Sequence, residues 1–234
     1  TGGINLLNPR RLSIRSYRHD KESLSSLSCN PVNAVYEDKY GTLWVGTVEG
    51  GLNRKEPGSE RFTHYTRERG GLSHNSVSAL TADRNNRLWV GTWGGGINWL
   101  DLKTPQSVQK VISSQTSNGF PVDFIGALAY DSINNGVWIG ANQGLYFYDI
   151  AKEELVSPLA GQAAANVHGC IGSIIDRDGK LWIGCLEGVY IVDLHSRSAE
   201  GEFQYRHLNY KLDDPDSRLI EKITCFYEAK DGTL

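Results

Sequence analysis

Six residues on turn-like segments of this 234-residue sequence carry groups able to hold a ligand: Trp93, Glu49, Asn142, Glu187, His74 and His168. An indole offers a flat face for stacking. Carboxylates, amides and imidazoles fix the orientation of a polar partner by hydrogen bonds. That set suits reversible binding of a ring-containing polar molecule and not covalent chemistry. No Ser/His/Asp order stands out for nucleophilic catalysis. Asp176-Arg177-Asp178-Gly179 is half of a calcium loop, without the later ligands or the closing Glu. Gly94-Gly95-Gly96 is followed by no Lys and opens no helix, so it is not a phosphate cradle. The acids Glu37, Asp38, Asp83, Asp131, Asp176 and Glu228 recur, but beside tight turns, where a carboxylate caps turn N–H groups. No catalytic residue, metal or cofactor is expected.

The elements that carry these residues follow from a repeat. Leu43-Trp44-Val45-Gly46 returns as Leu88-Trp89-Val90-Gly91, Val137-Trp138-Ile139-Gly140 and Leu181-Trp182-Ile183-Gly184, at Trp intervals of 45, 49 and 44 residues. A period in this range points to a β-propeller blade. Each unit opens on a short alternating run, such as Val32-Asn33-Ala34-Val35-Tyr36 or Ile171-Gly172-Ser173-Ile174. A polar turn follows, then the Trp strand, a Gly-rich turn, a third strand such as Leu145-Tyr146-Phe147-Tyr148 and a polar fourth strand such as Arg61–Tyr65. Four antiparallel strands, innermost small and outermost polar, make a blade. The expected fold is all-β, an incomplete arc of a seven-bladed propeller within one domain over 1–234. Outer strands of a preceding blade take 1–20, blades span 30–66, 75–113, 123–157 and 169–209, and a following blade starts over 221–234. Trp44, Trp89, Trp138 and Trp182 are expected on equivalent second strands, buried between blades. Ile171 to Leu181 is 10 residues where Val32 to Leu43 and Val77 to Leu88 are 11, which reads as a one-residue deletion in the turn.

On a propeller the ligand face is built by the loops between second and third strands and between blades. Those loops hold the six residues above, with Asp123 and Arg218. Trp93 departs from the repeat, because Val48, Asn142 and Leu186 fill the matching positions. It either stacks on a sugar ring or packs on a neighbouring blade. The run Asp213-Asp214-Pro215-Asp216 reads as a solvated loop.

With 39% hydrophobic residues, 22% charged and 26 Gly, the chain is globular and turn-rich. A net charge of −3 with mixed signs gives no basic stripe for nucleic acid. No apolar run approaches the length of a membrane span, so this region does not insert directly. Cys29, Cys170, Cys185 and Cys225 form no C-x-x-C and no zinc spacing. Cys185 occupies the slot of Thr47, Thr92 and Ala141; Cys225 that of Ala34, Ala79, Ala127 and Ser173. Both read as small buried residues. Nothing in the spacing supports a Cys170–Cys185 bridge across one hairpin, so the cysteines do not fix the redox compartment.

Gly41-Thr42-Leu43-Trp44-Val45-Gly46-Thr47 followed by Gly50-Gly51-Leu52-Asn53, and Leu72-Ser73-His74-Asn75-Ser76-Val77 followed by Leu88-Trp89-Val90-Gly91-Thr92 and Gly95-Gly96-Ile97-Asn98, closely resemble the two-component regulator propeller repeat. The third and fourth units are looser, with the Gly pair reduced to Gly144 and Gly188. The resemblance implies the periplasmic sensor region of a Bacteroidetes-type hybrid two-component kinase. Such a region detects oligosaccharide fragments and relays binding across the inner membrane to polysaccharide-utilisation genes. Implied partners are an oligosaccharide, further blades and signalling domains of the same parent chain, and a second copy in a homodimer; nucleic acid is not among them. The competing reading is a scaffold propeller that binds proteins and no small molecule. A propeller lyase would need polar ligands on inner strands that instead carry Ala34, Ala79, Ala127, Ser173 and Cys225.

Overall fold

The structure is a computed structural model that describes residues 4–8, 13–106, 108–116, 122–159, 167–199, 201–208 and 223–234. The described residues are strands, turns and loops, with no helix among them. Strands β1 (Ile4–Asn8) and β2 (Ser13–Tyr17) pair as a two-stranded sheet. Four four-stranded antiparallel sheets follow in chain order. The first holds β3 (Val32–Glu37), β4 (Leu43–Thr47), β5 (Leu52–Lys55) and β6 (Phe62–Tyr65). The second holds β7 (Val77–Ala82), β8 (Arg87–Thr92), β9 (Ile97–Asp101) and β10 (Lys110–Ile112). The third holds β11 (Ile125–Asp131), β12 (Gly136–Ala141), β13 (Gly144–Asp149) and β14 (Glu154–Val156). The fourth holds β15 (Gly172–Ile175), β16 (Lys180–Cys185), β17 (Gly188–Arg197) and β18 (Phe203–Leu208). Each sheet is a meander of sequential hairpins, the blade that the repeat predicts. Two compact units share them: Thr1–Ala82 with Asn86–Val111, and Asp83–Asn85 with Ile112–Leu234.

The first turn of each blade bends through a left-handed residue, Gly41, Asn86, Asn135 or Gly179, at φ of 76°, 63°, 53° and 73°. Glycine and asparagine tolerate that region, which is why these turns were legible. The Trp strand supplies the core. Trp44 and Trp89 are fully buried and Trp138 is 1% exposed. Trp44 packs with Val77, Leu88, Val90 and Leu100 of the second blade, and Trp138 with Leu181, Ile183 and Val192 of the fourth. The indole thus fills the space between two blades, as expected. Trp182 lies on the equivalent strand but is half-buried. It faces a groove of about 410 Å³ lined by Lys180, Ile191, Asp193, Tyr205 and Arg206.

The recurring acids do more than cap turns. Asp38 Oδ1 accepts the backbone N–H groups of Tyr40 and Thr42 at 2.9 and 3.0 Å, while Oδ2 accepts Trp44 Nε1–H at 2.8 Å. Asp176 binds Asp178 N, Lys180 N and Trp182 Nε1 in the same way, the last at 2.7 Å. Asp131 caps Ile133 and Asn134 and takes Trp138 Nε1–H at 3.2 Å. One carboxylate therefore closes the hairpin and satisfies the donor of the buried indole.

The Gly of each Trp strand marks the closest approach of the next blade. A Cβ on Gly46 would strike Val77, one on Gly140 would strike Cys170, and one on Gly184 would strike Ile223. On its own sheet that Gly pairs with the small residue of the inner strand: Ala34 with Gly46, Ala79 with Gly91, Ala127 with Gly140 and Gly172 with Gly184. This register corrects the reading of the fourth unit. The small position belongs to Gly172, not Ser173, and Cys170 stands where Val77 and Ile223 stand. Counted from Cys170 the unit has the same 11-residue spacing as the first two, so no residue is deleted from the turn. One further expectation fails: Cys225 is exposed, not packed in a small buried slot. Cys185 is 2% exposed, as its slot requires. The acidic run 213–216 lies outside the described residues.

Candidate ligand face

The turn between second and third strands is anchored alike in every blade. Its first residue donates its backbone N–H to the loop that enters the inner strand: Val48 to Pro31 O at 3.0 Å, Trp93 to Ser76 O at 2.8 Å, Asn142 to Phe124 O at 2.8 Å and Leu186 to His168 O at 3.0 Å. These bonds bring the two loop sets to one end of the sheets, opposite the Asp-capped turns. Side chains at the leading position stand away from the strand: Trp93 is 42% exposed and Leu186 61% exposed, and Asn142 is exposed, whereas Val48 is half-buried.

In the first two blades a buried polar clamp fixes this end. Thr47 Oγ1 donates to Gly51 O at 3.0 Å and accepts Gly50 N–H at 3.2 Å; Thr92 does the same with Gly96 O and Gly95 N at 2.7 and 3.2 Å. Asn53 Oδ1 accepts Ser28 N–H at 2.8 Å, and Asn98 Oδ1 accepts Ser73 N–H at 2.9 Å. Thr47, Asn53, Thr92 and Asn98 are fully buried. The Ser, Thr and Asn residues that make these two repeats recognisable are thus structural. Gly50 and Gly95 pass so close to Ser28 and Ser73 that a Cβ would collide. In the third and fourth blades Ala141 and Cys185 replace the Thr, and Tyr146 and Tyr190 replace the Asn. Tyr146 compensates by donating its hydroxyl to Gln143 O at 2.6 Å.

The six predicted residues fall into two groups, one in each compact unit. In the first, His74 Nδ1 accepts Ser76 N–H at 3.0 Å, so the neutral ring carries its proton on Nε2. Its ring lies against Gly94, where a Cβ would sit 3.4 Å from Nε2. Trp93 is the residue before that Gly, so His74 and Trp93 stand on touching loops. Glu49 is exposed on the preceding turn, whose Gly51 N–H donates to Asn75 O at 2.8 Å. In the second unit Glu187 Oε2 accepts His168 N–H at 3.1 Å and Oε1 lies 3.7 Å from His168 Nδ1. Asn142 O accepts Gly169 N–H at 3.1 Å. Asp123 is turned inward to hold the Ser114 N–H at 2.9 Å and the Ser114 hydroxyl. Arg218 lies outside the described residues.

Two members of the second group were not legible. His207 donates Nε2–H to Glu187 O at 2.9 Å, and its ring stacks on Tyr190 at 4.1 Å and 10°. Burial, with smaller contributions from Cys185 and Glu187, pushes the Tyr190 hydroxyl up to about 12, so it stays protonated near neutral pH. The replacement of Asn by Tyr at this slot was the only signal. Among the described residues no group of three His, Cys, Asp or Glu side chains is placed to hold a metal ion. No helix of the described residues is long and apolar enough to cross a membrane.

The blades are of the β-propeller type, and known proteins share the arrangement. Residues 26–49 and 71–94 match the family model described as two component regulator propeller, so these two segments are repeats of that type. No curated protein matches the chain. Among solved structures it resembles the extracellular domain of BT3049 from B. thetaiotaomicron, described as a hybrid two component system, with a TM-score of 0.76 and 21% identity over 99% of this chain. It resembles the extracellular domain of BT4673 of the same organism with a TM-score of 0.68 and 25% identity over 84% of this chain. The chain spans only 28% and 27% of those two structures. The computationally designed Ika8 protein, 15% identical, matches at a TM-score of 0.59 over 96% of this chain, a likeness of fold alone.

Proposed function

We propose that this chain is a ligand-sensing part of a periplasmic propeller in a hybrid two-component sensor. In this reading it detects oligosaccharide fragments on the loop end of its blades. Binding there shifts the populations of two signalling states of the parent protein. The readout is regulation of polysaccharide-utilisation genes, through further blades and signalling domains of the same chain. The regulator propeller repeats and the likeness to extracellular domains of two hybrid two component systems of B. thetaiotaomicron support it. The observation that carries it is Trp93. A large aromatic is 42% exposed on a turn whose backbone is clamped by Thr92 and tied to Ser76. A turn pre-positioned in that way costs little to order when a sugar stacks on the ring it carries.

Calorimetric titration with a panel of oligosaccharides tests the reading. Trp93→Ala should weaken binding roughly five-fold or more, the equivalent of about 1 kcal/mol of stacking, and leave the melting temperature within a degree or two of wild type. If Trp93→Ala binds normally, or melts as a core variant does, the ring is structural. A second reading, a scaffold propeller that binds proteins, is favoured by the exposed Leu186 and Phe124 on the other unit's loops. It predicts no heat with any member of the panel.

A further inference from the structure

The fourth blade lacks both the Thr that clamps the Gly turn in the first two and the Ala of the third, and carries Cys185 there instead. The residue opposite this slot in the other blades is fixed by strand register: Val32 faces Thr47, Val77 faces Thr92 and Ile125 faces Ala141. In the fourth blade Gly172 pairs with Gly184 and the Ile171 N–H donates to Gly184 O, which brings Cys170, the next residue outward, beside Cys185. Neighbouring residues across an antiparallel pair can meet the roughly 4.4–6.8 Å of Cα separation that a disulfide needs. Both residues lie in one core cluster, 1% and 2% exposed. Both are free thiols in this structure, and the Cys185 side chain lies close enough to Cys170 to raise its pKa. The Cys170 N–H does not bind Cys185; it donates to Ala141 O of the preceding blade at 3.4 Å, which holds the backbone in place for the pairing.

We propose that Cys170 and Cys185 are a cross-strand disulfide site, and that the bond pins the Leu186–Glu187 turn to the fourth blade in place of the missing Thr clamp. Closure needs a disulfide-bearing oxidant, either a thiol–disulfide oxidase or oxidised glutathione. One cysteine thiolate attacks the oxidant's disulfide and releases one thiol. The second thiolate then attacks the mixed disulfide and releases the other. The two cysteines lose two electrons and two protons, and the oxidant's disulfide gains them. In the finished fold the Cys185 side chain and then burial hold the Cys170 thiol well above its usual range, so thiolate is scarce there. Closure therefore belongs to folding, before the blade seals over the pair. Cys29 is half-buried and Cys225 exposed, so neither competes from within the cluster.

The chain refolded with oxidised glutathione, then denatured and alkylated without reductant, should take up label on two of its four cysteines, Cys29 and Cys225, and yield one linked peptide pair containing Cys170 and Cys185. Reduction should lower its melting temperature by roughly 5 °C or more, the shift expected for a loop of this size. Cys170→Val with Cys185→Ala, the residue types of the other blades, should fold and lose that redox response. Labelling of all four cysteines, a bond involving Cys29 or Cys225, or an unchanged redox shift in the double variant would overturn the proposal.

Discussion

Trp138→Ala is expected to cost about 3–5 kcal/mol of stability, the range for emptying a buried Trp site, and to lower the melting temperature by roughly 10 °C. The site cannot collapse. Phe147 and Phe203 meet the indole edge-on at 5.2 and 4.8 Å, and Leu181 and Ile183 close it from the next blade. Deleting the ring also removes one of the hydrogen bonds that the buried Asp131 carboxylate accepts. Trp182→Ala is the internal control, because that indole is half-buried beside an open groove. Its loss should cost about 1–2 kcal/mol. Urea unfolding of the two variants separates the cases. If Trp138→Ala falls within about 1 kcal/mol of wild type, the indole is not the wedge between blades.

Asp38→Ala is expected to be the next most damaging substitution, at about 2–4 kcal/mol. Its carboxylate is 5% exposed and accepts three hydrogen bonds, two from the first hairpin turn and one from Trp44 Nε1. Water can reach Tyr40, which is exposed, but not the indole of Trp44, which is fully buried. An unsatisfied buried donor is the costly part. Asp38→Asn retains one oxygen and can serve either the turn or the indole, so it should lose about half as much. The near-ultraviolet signal of Trp44 should sharpen or blur with it. If Asp38→Ala and Asp38→Asn cost the same, the two halves of the carboxylate do not act separately.

Much of this fold was legible because its repeat obeys local rules. A Trp flanked by aliphatics and closed by Gly names the second strand. An Asn or Gly at positive φ names the hairpin, and Asp before it names the cap. What the sequence hid depends on pairing. The choice of Ile171 as the first residue of the fourth unit follows hydrophobicity, but strand register puts Cys170 there, because the Gly of the preceding Trp strand must receive that side chain. Trp182 has the same local setting as Trp138, and only the face beside it makes it half-buried. The candidate site was legible as a set of loops, since Trp93 breaks the repeat and His168 and Glu187 sit on turns. The stacking of His207 on Tyr190 joins residues of two strands, which no local spacing reveals.

The central claim, that the loop end of these blades receives the ligand, is tested most directly by amide hydrogen exchange with and without saturating oligosaccharide. Protection should rise in peptides covering residues 48–51, 73–76 and 93–96, or 142–144, 168–169 and 186–188, and stay unchanged at the opposite turns 39–41, 84–86 and 177–179. Protection confined to those opposite turns or to the outer strands, or none anywhere, would contradict it.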